Sequence, residues 1–180
     1  MLSIGSGFIM QRNLAALLAL IHLMLPVLAW GEALPPEAPA RIDWVVVLKS
    51  QRQLQLFKDG KIFKTYPIAL GQRPLGAKLR RGDGRTPEGL YLIDGRNDSS
   101  AYTRSLHISY PNAEDRARAH ARGLDPGDKI MLHGMPEAAG QRDPDHFFKD
   151  WTDGCIAVGN TAIMEIWNIV PDGTPIIIRP

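Results

Sequence analysis

Cysteine is nearly absent from this chain: Cys155 stands alone among 180 residues. No intramolecular disulfide can form, so the fold must rest on its core. In an oxidising compartment a single thiol is a liability unless it is buried or used. Charge of one sign is also missing. The chain holds 21 Lys and Arg against 19 Asp and Glu, a formal net charge of +2, and no long run of either. Nothing in that balance implies nucleic acid as a partner. A phosphate loop is absent too. Residues 71–84 (GQRPLGAKLRRGDG) are rich in glycine and basic side chains but lack the GxxxxGK[ST] spacing and the strand-to-helix setting, and they read as a surface loop. No internal repeat and no second domain can be found.

The one long apolar run is near the N-terminus. Arg12 precedes residues 14–30 (LAALLALIHLMLPVLAW), and Ala29-Trp30-Gly31 places small residues at the two positions a signal peptidase reads. A positive region, an apolar core and a small-x-small site make a secretory signal peptide over residues 1–31. Met10 is a second candidate start. The run is short for a membrane span and carries His22 and Pro26, so membrane attachment is expected only if the segment is retained. Residues 32–42 open with EALPPEAPA and read as a linker. Residues 43–180 form the single folded domain, expected in the periplasm or cell envelope.

Over the whole chain, 17 Gly and 14 Pro point to many turns and a β-rich fold. Residues 44–48 (WVVVL) are β-branched and read as a buried strand. Residues 54–57 and 62–70 form the next two, joined by a hairpin turn at Asp59-Gly60, with Pro67 at an edge or bulge. Further strands are expected at 90–93, 105–110, 129–132, 156–158 and 174–179. Asn112 caps a short helix over 113–122, and Asn160 caps a second over 161–169. Short strands with two small helices predict a mainly β fold: a β-sandwich or a curled, barrel-like sheet.

Two strand ends carry chemistry. Cys155 follows Trp151-Thr152-Asp153-Gly154 and precedes an apolar strand; Gly154 lets the chain turn sharply there. His133-Gly134 ends another strand. If those strands are neighbours, the imidazole can take the thiol proton, hold the pair as thiolate and imidazolium, and later protonate a leaving amine. A carbonyl near Gly134 could fix the tautomer. Backbone N–H groups around Gly154 and Cys155 could stabilise an oxyanion. Residue types alone leave open which of five histidines serves. His107 reads as a strand residue and His120 as a helix-surface one. Asp143, Asp145 and His146 could suggest a metal site with Cys155, but the segment 143–148 (DPDHFF) reads better as part of a loop or lid. Phe147, Phe148 and Trp151 could line a peptide groove, although packing explains them as well.

The order of these motifs resembles the catalytic domain of L,D-transpeptidases of the YkuD type. That family has His-Gly at a strand end, a loop, and then Ser/Thr-x-Gly-Cys; here they are His133-Gly134 and Thr152-Asp153-Gly154-Cys155. Residues 82–93 (GDGRTPEGLYLI), 105–111 (SLHISYP), 126–134 (PGDKIMLHG), 150–160 (DWTDGCIAVGN) and 172–180 (DGTPIIIRP) resemble one branch of it. The resemblance implies Cys155 as nucleophile, His133 as base, and Gly134 as donor of the orienting carbonyl. Thr152, Asp153 and Gly154 would line the nucleophile turn and oxyanion region. Tyr110 and Trp151 are offered as substrate contacts. Peptidoglycan stem peptides would be the partner, cut between an L-centre and a D-residue through a thioester, with no metal or organic cofactor. Many members have His where Asp153 stands and Arg where Ala157 stands. Those changes bear on whether an amine or water takes the acyl group. A carboxypeptidase or endopeptidase on the same thioester route is the nearest alternative, and a non-catalytic wall-binding protein is a more distant one.

Overall fold

The computed structural model describes residues 41–136 and 149–180. The signal segment, the linker up to residue 40, and Asp143, Asp145, His146, Phe147 and Phe148 lie outside them. One sheet of eight strands organises the described residues, in the order β3-β2-β1-β8-β4-β5-β6-β7. Its strands are β1 (Trp44–Leu48), β2 (Gln53–Lys58), β3 (Lys61–Pro67), β4 (Gly89–Asn97), β5 (Ser105–Ile108), β6 (Met131–His133), β7 (Ile156–Ala157) and β8 (Pro175–Arg179). Helices α1 (Ala113–His120) and α2 (Asn160–Ile169) complete it. The sheet curls into a half-barrel, so the barrel-like expectation holds and the two-layer sandwich does not arise.

Alternation builds the core. Leu56, Val45, Ile176 and Tyr91 lie in register across four neighbouring strands, and all four are buried. Period-two patterning sends their neighbours to the other face. Trp44 and Leu90 are accordingly exposed, which corrects the expectation that residues 44–48 are buried on both sides. From α2, Ile163 and Ile166 fill the concave face, where they join Leu106, Ile108 and Leu132 in one cluster.

Turn chemistry follows the sequence at the hairpin. Asp59 and Gly60 both have positive φ (52° and 72°), as a tight two-residue turn between twisted strands requires. β3 is the outer strand and Pro67 its last residue. Asn112 caps α1 through a capping box with Asp115. Asn160 does not cap α2. The N-cap there is Gly159, with no side-chain cap bond.

Residues 71–85 are more than a surface loop. Lys78 and Asp83 are buried within it and paired at 2.9 Å. Burial alone would push the Asp83 carboxyl up, but the N–H groups of Leu79, Arg80 and Arg85 and the Lys78 ammonium hold it below the usual carboxylate range. The buried Lys49 ammonium ties the loop's ends to β1, donating to the carbonyls of Gly76 and Thr86 and to Glu88 Oε1 at 2.8–3.0 Å.

Candidate active site

β6 and β7 run parallel, with Leu132 opposite Ile156 and His133 opposite Ala157. Cys155 lies one residue before β7 and two before Ala157. Two-residue alternation therefore puts its side chain on the face that carries His133. The two short strands do what the sequence left conditional: they bring His133 and Cys155 to one wall of one groove. Its volume is about 640 Å³, and Trp151, Thr152 and Asp153 line it as well.

The turn ahead of Cys155 is shaped by two residues. Thr152 Oγ1 donates to the Cys155 carbonyl at 2.7 Å and accepts the Gly154 N–H at 3.1 Å. Gly154 adopts φ +128°, and a Cβ there would lie 2.5 Å from the Arg85 carbonyl oxygen. Only glycine fits both the conformation and the space. The buried-pair loop thus supports the nucleophile turn from behind. The Gly154 N–H is bonded inside the turn.

His133 is 4% exposed. Its Nδ1 lies 2.6 Å from the Gly134 carbonyl oxygen. A carbonyl only accepts, so Nδ1 carries the proton and Nε2 keeps its lone pair. Burial lowers the His133 pKa, and the Gly134 bond only partly opposes that. Burial pushes the Cys155 thiol up; Asp153 adds to the rise, while the Met131 N–H and the Lys78 ammonium oppose it. Met131 N–H donates to Sγ at 3.4 Å, and the thiol points to the Lys129 carbonyl at 3.7 Å. Both shifts favour the uncharged partners, because each ion would be poorly solvated here. Burial thus favours thiol and neutral imidazole over the thiolate–imidazolium pair.

Aromatic rings wall the groove beside the imidazole. Tyr102 lies 4.5 Å from the His133 ring centroid and 6.0 Å from that of Trp151, with which it stacks. Trp151 meets His133 edge-on at 5.7 Å. Tyr110 takes no part in the groove. It is buried in the core, and its hydroxyl donates to the Pro126 carbonyl, so the substrate contact expected at Tyr110 is corrected. The sequence marks Tyr102 only as one aromatic in a mostly polar loop, residues 98–104. Ala157 is fully buried, and its backbone is bonded to that of Ala69 in both directions.

Comparison with known proteins identifies the domain that carries this site. The L,D-transpeptidase catalytic domain (YkuD) family matches residues 42–178. YafK of Escherichia coli (strain K12) is 29% identical over 134 residues, covering 71% of this chain and 46% of its own length. The helical cell shape determining protein Pgp2 from Campylobacter jejuni superposes with a TM-score of 0.60 at 26% identity, over 78% of this chain and 48% of that one. Bd1075 of Bdellovibrio bacteriovorus gives 0.56 at 27%, over 79% and 49%. The chain spans about half the length of these relatives.

Proposed function

This chain belongs to the L,D-transpeptidase catalytic domain family, and from that premise we propose that it transfers acyl groups between peptidoglycan stem peptides through a thioester on Cys155. The observation that carries the proposal is the groove shared by His133 and Cys155, with the imidazole Nδ1 committed to the Gly134 carbonyl. That bond leaves Nε2 to act as base.

The steps follow from the resting state. Nε2 takes the thiol proton as Sγ attacks the carbonyl carbon that links an L-centre to a D-residue. Negative charge develops on the carbonyl oxygen, and the Cys155 N–H is assigned to meet it, since the Gly154 N–H is spent in the turn. The imidazolium then gives its proton to the departing amine, and the C–N bond breaks. What remains is a thioester and a neutral imidazole. An incoming amine repeats the sequence in reverse, losing its proton to Nε2 and releasing the thiol. The uncharged resting pair suits this cycle, because charge is created only as the new bond forms.

Asp153 is exposed on the groove wall. An acid there attracts the ammonium of a diamino acid side chain, which favours transfer over hydrolysis. Trp151 and Tyr102 offer flat apolar walls that limit water around the thioester. The chain acts outside the cytoplasm, consistent with the apolar run and small-x-small site at residues 14–31, and N-terminal sequencing of envelope protein should find a start near residue 32. Incubation with a defined tetrapeptide muropeptide and excess amine acceptor, followed by mass analysis, tests the activity. A crosslinked product in excess of free tripeptide is expected. Cleaved peptides alone would replace transfer with hydrolysis.

A further inference from the structure

The peptide unit between Gly134 and Met135 supplies the carbonyl that accepts the hydrogen bond from the imidazole Nδ1–H. It is gripped on every side. Gly134 N–H donates to the Tyr102 and Arg104 carbonyls at 3.1 and 3.2 Å. The Met135 carbonyl accepts from Thr103 Oγ1 at 3.2 Å. Between these, the Gly134 carbonyl accepts from His133 Nδ1 at 2.6 Å, and the Met135 N–H donates to Asn160 Oδ1 at 2.7 Å. The last two groups belong to one peptide plane. In a planar trans peptide the C=O and N–H point in opposite directions from a rigid unit. Holding the N–H therefore fixes where the carbonyl points.

We infer that Asn160 is a positioning residue for His133, acting through the Gly134–Met135 peptide to hold the imidazole in its Nδ1–H tautomer. The inference rests on the proposed role of His133 as base. Two features single out this side chain. Asn160 is the first residue of α2 and asparagine is a preferred capping residue, yet it leaves the helix start without a side-chain cap. Its carboxamide is spent on Met135 instead. Gly134 makes this possible. A Cβ at Gly134 would lie 2.7 Å from Asn160 Oδ1 and 2.8 Å from Ile163 Cγ2 and the Tyr102 oxygen. The glycine after the histidine is thus explained by approach rather than by φ: it lets the carboxamide reach past it to the next N–H.

The test compares wild type with Asn160→Ala, Asn160→Ser and Asn160→Asp in the full chain. Nitrogen-15 spectra of the His133 ring read the tautomer, and the acylation rate of Cys155 by a carbapenem reads function. Wild type should show the Nδ1–H form. The Ala and Ser variants should gain the Nε2–H form and lose acylation rate by about ten- to a hundredfold, as for groups that orient metal-bound histidines, with the apparent binding constant for the carbapenem unchanged. Asn160→Asp keeps the acceptor oxygen and should restore the tautomer and most of the rate. Should Asn160→Ala fail to fold, Asn160→Ser, which keeps a small polar side chain at the helix start but is too short to reach Met135, decides the matter with Asn160→Asp. An unchanged tautomer in folded Ala or Ser variants overturns the inference, as does a wild type already in the Nε2–H form. If wild type is not acylated at all, the proposed function fails, while the tautomer comparison still judges Asn160.

Discussion

Two halves of one sheet are built on different principles. From β3 to β4 the strands are five to nine residues long; in β1, β2, β8 and β4 inward side chains alternate with outward ones, while the outer strand β3 buries only Tyr66. From β5 to β7 they shrink to four, three and two residues. There the backbone is held by particular groups: Thr152 within the nucleophile turn, Asn160 behind Met135, and the Arg85 carbonyl against Gly154. The long half needs only apolar residues of the right period. The short half needs individual atoms in individual places. Stability should therefore be set largely by the first and chemistry by the second, and substitutions should separate the two.

The largest separation is expected at the reacting pair. Cys155→Ala should abolish acylation, and His133→Ala should reduce it on the order of 10² to 10⁴, both with an unchanged melting transition. His107→Ala, in a residue that pairs with Asp94 at 2.5 Å and does not line the groove, should leave acylation intact. In the long half the pattern reverses. Leu56→Ala, in a fully buried position, should cost about 2–5 kcal/mol of stability while the remaining folded protein keeps its acylation rate. Gly154→Ala joins the two effects. The positive φ and the Arg85 oxygen together should cost on the order of 1–3 kcal/mol, and the displaced thiol should lose reactivity as well. Denaturant unfolding and acylation kinetics on the same samples check all of these.

A smaller effect concerns pH. Burial lowers the His133 pKa, so the base is uncharged at neutral pH and loses its lone pair only as pH falls. The acid limb of the acylation profile should have its midpoint below that of free imidazole. Burial also raises the Cys155 thiol, so alkylation by iodoacetamide without substrate should keep rising above the ordinary thiol range. A plateau in alkylation already reached at neutral pH would mean a resting thiolate–imidazolium pair. The smallest effect is expected at the groove wall: Tyr102→Ala should weaken muropeptide binding a few-fold, as loss of one aromatic contact worth about 0.5–1.5 kcal/mol implies.

The same division explains what could be read from sequence. Period-two alternation, the Asp59-Gly60 turn and the Asn112 cap are local signals, and each element stands close to where it was expected. The strands ending in His133 and opening after Cys155 were local too, and the motif order resembled a family that the whole domain matches. What escaped depended on contacts far along the chain. Tyr102 and Tyr110 look alike in sequence, but a neighbouring carbonyl at Pro126 draws one inward and the His133 ring receives the other. Asn160 carries a capping residue's identity and does another task, because Gly134 opens a path to Met135. The directions in which the His133 and Cys155 pKa values move follow from burial, which no spacing records.

The central claim is an acyl group on Cys155 created with His133 as base. The direct measurement is the intact mass of protein quenched in acid during turnover of a tetrapeptide muropeptide, followed by mapping of the modified peptide. A stem-tripeptide acyl adduct on Cys155 is expected in wild type, with little or none in His133→Ala. Product formation with Cys155 unmodified, or turnover that survives Cys155→Ala, would contradict the account.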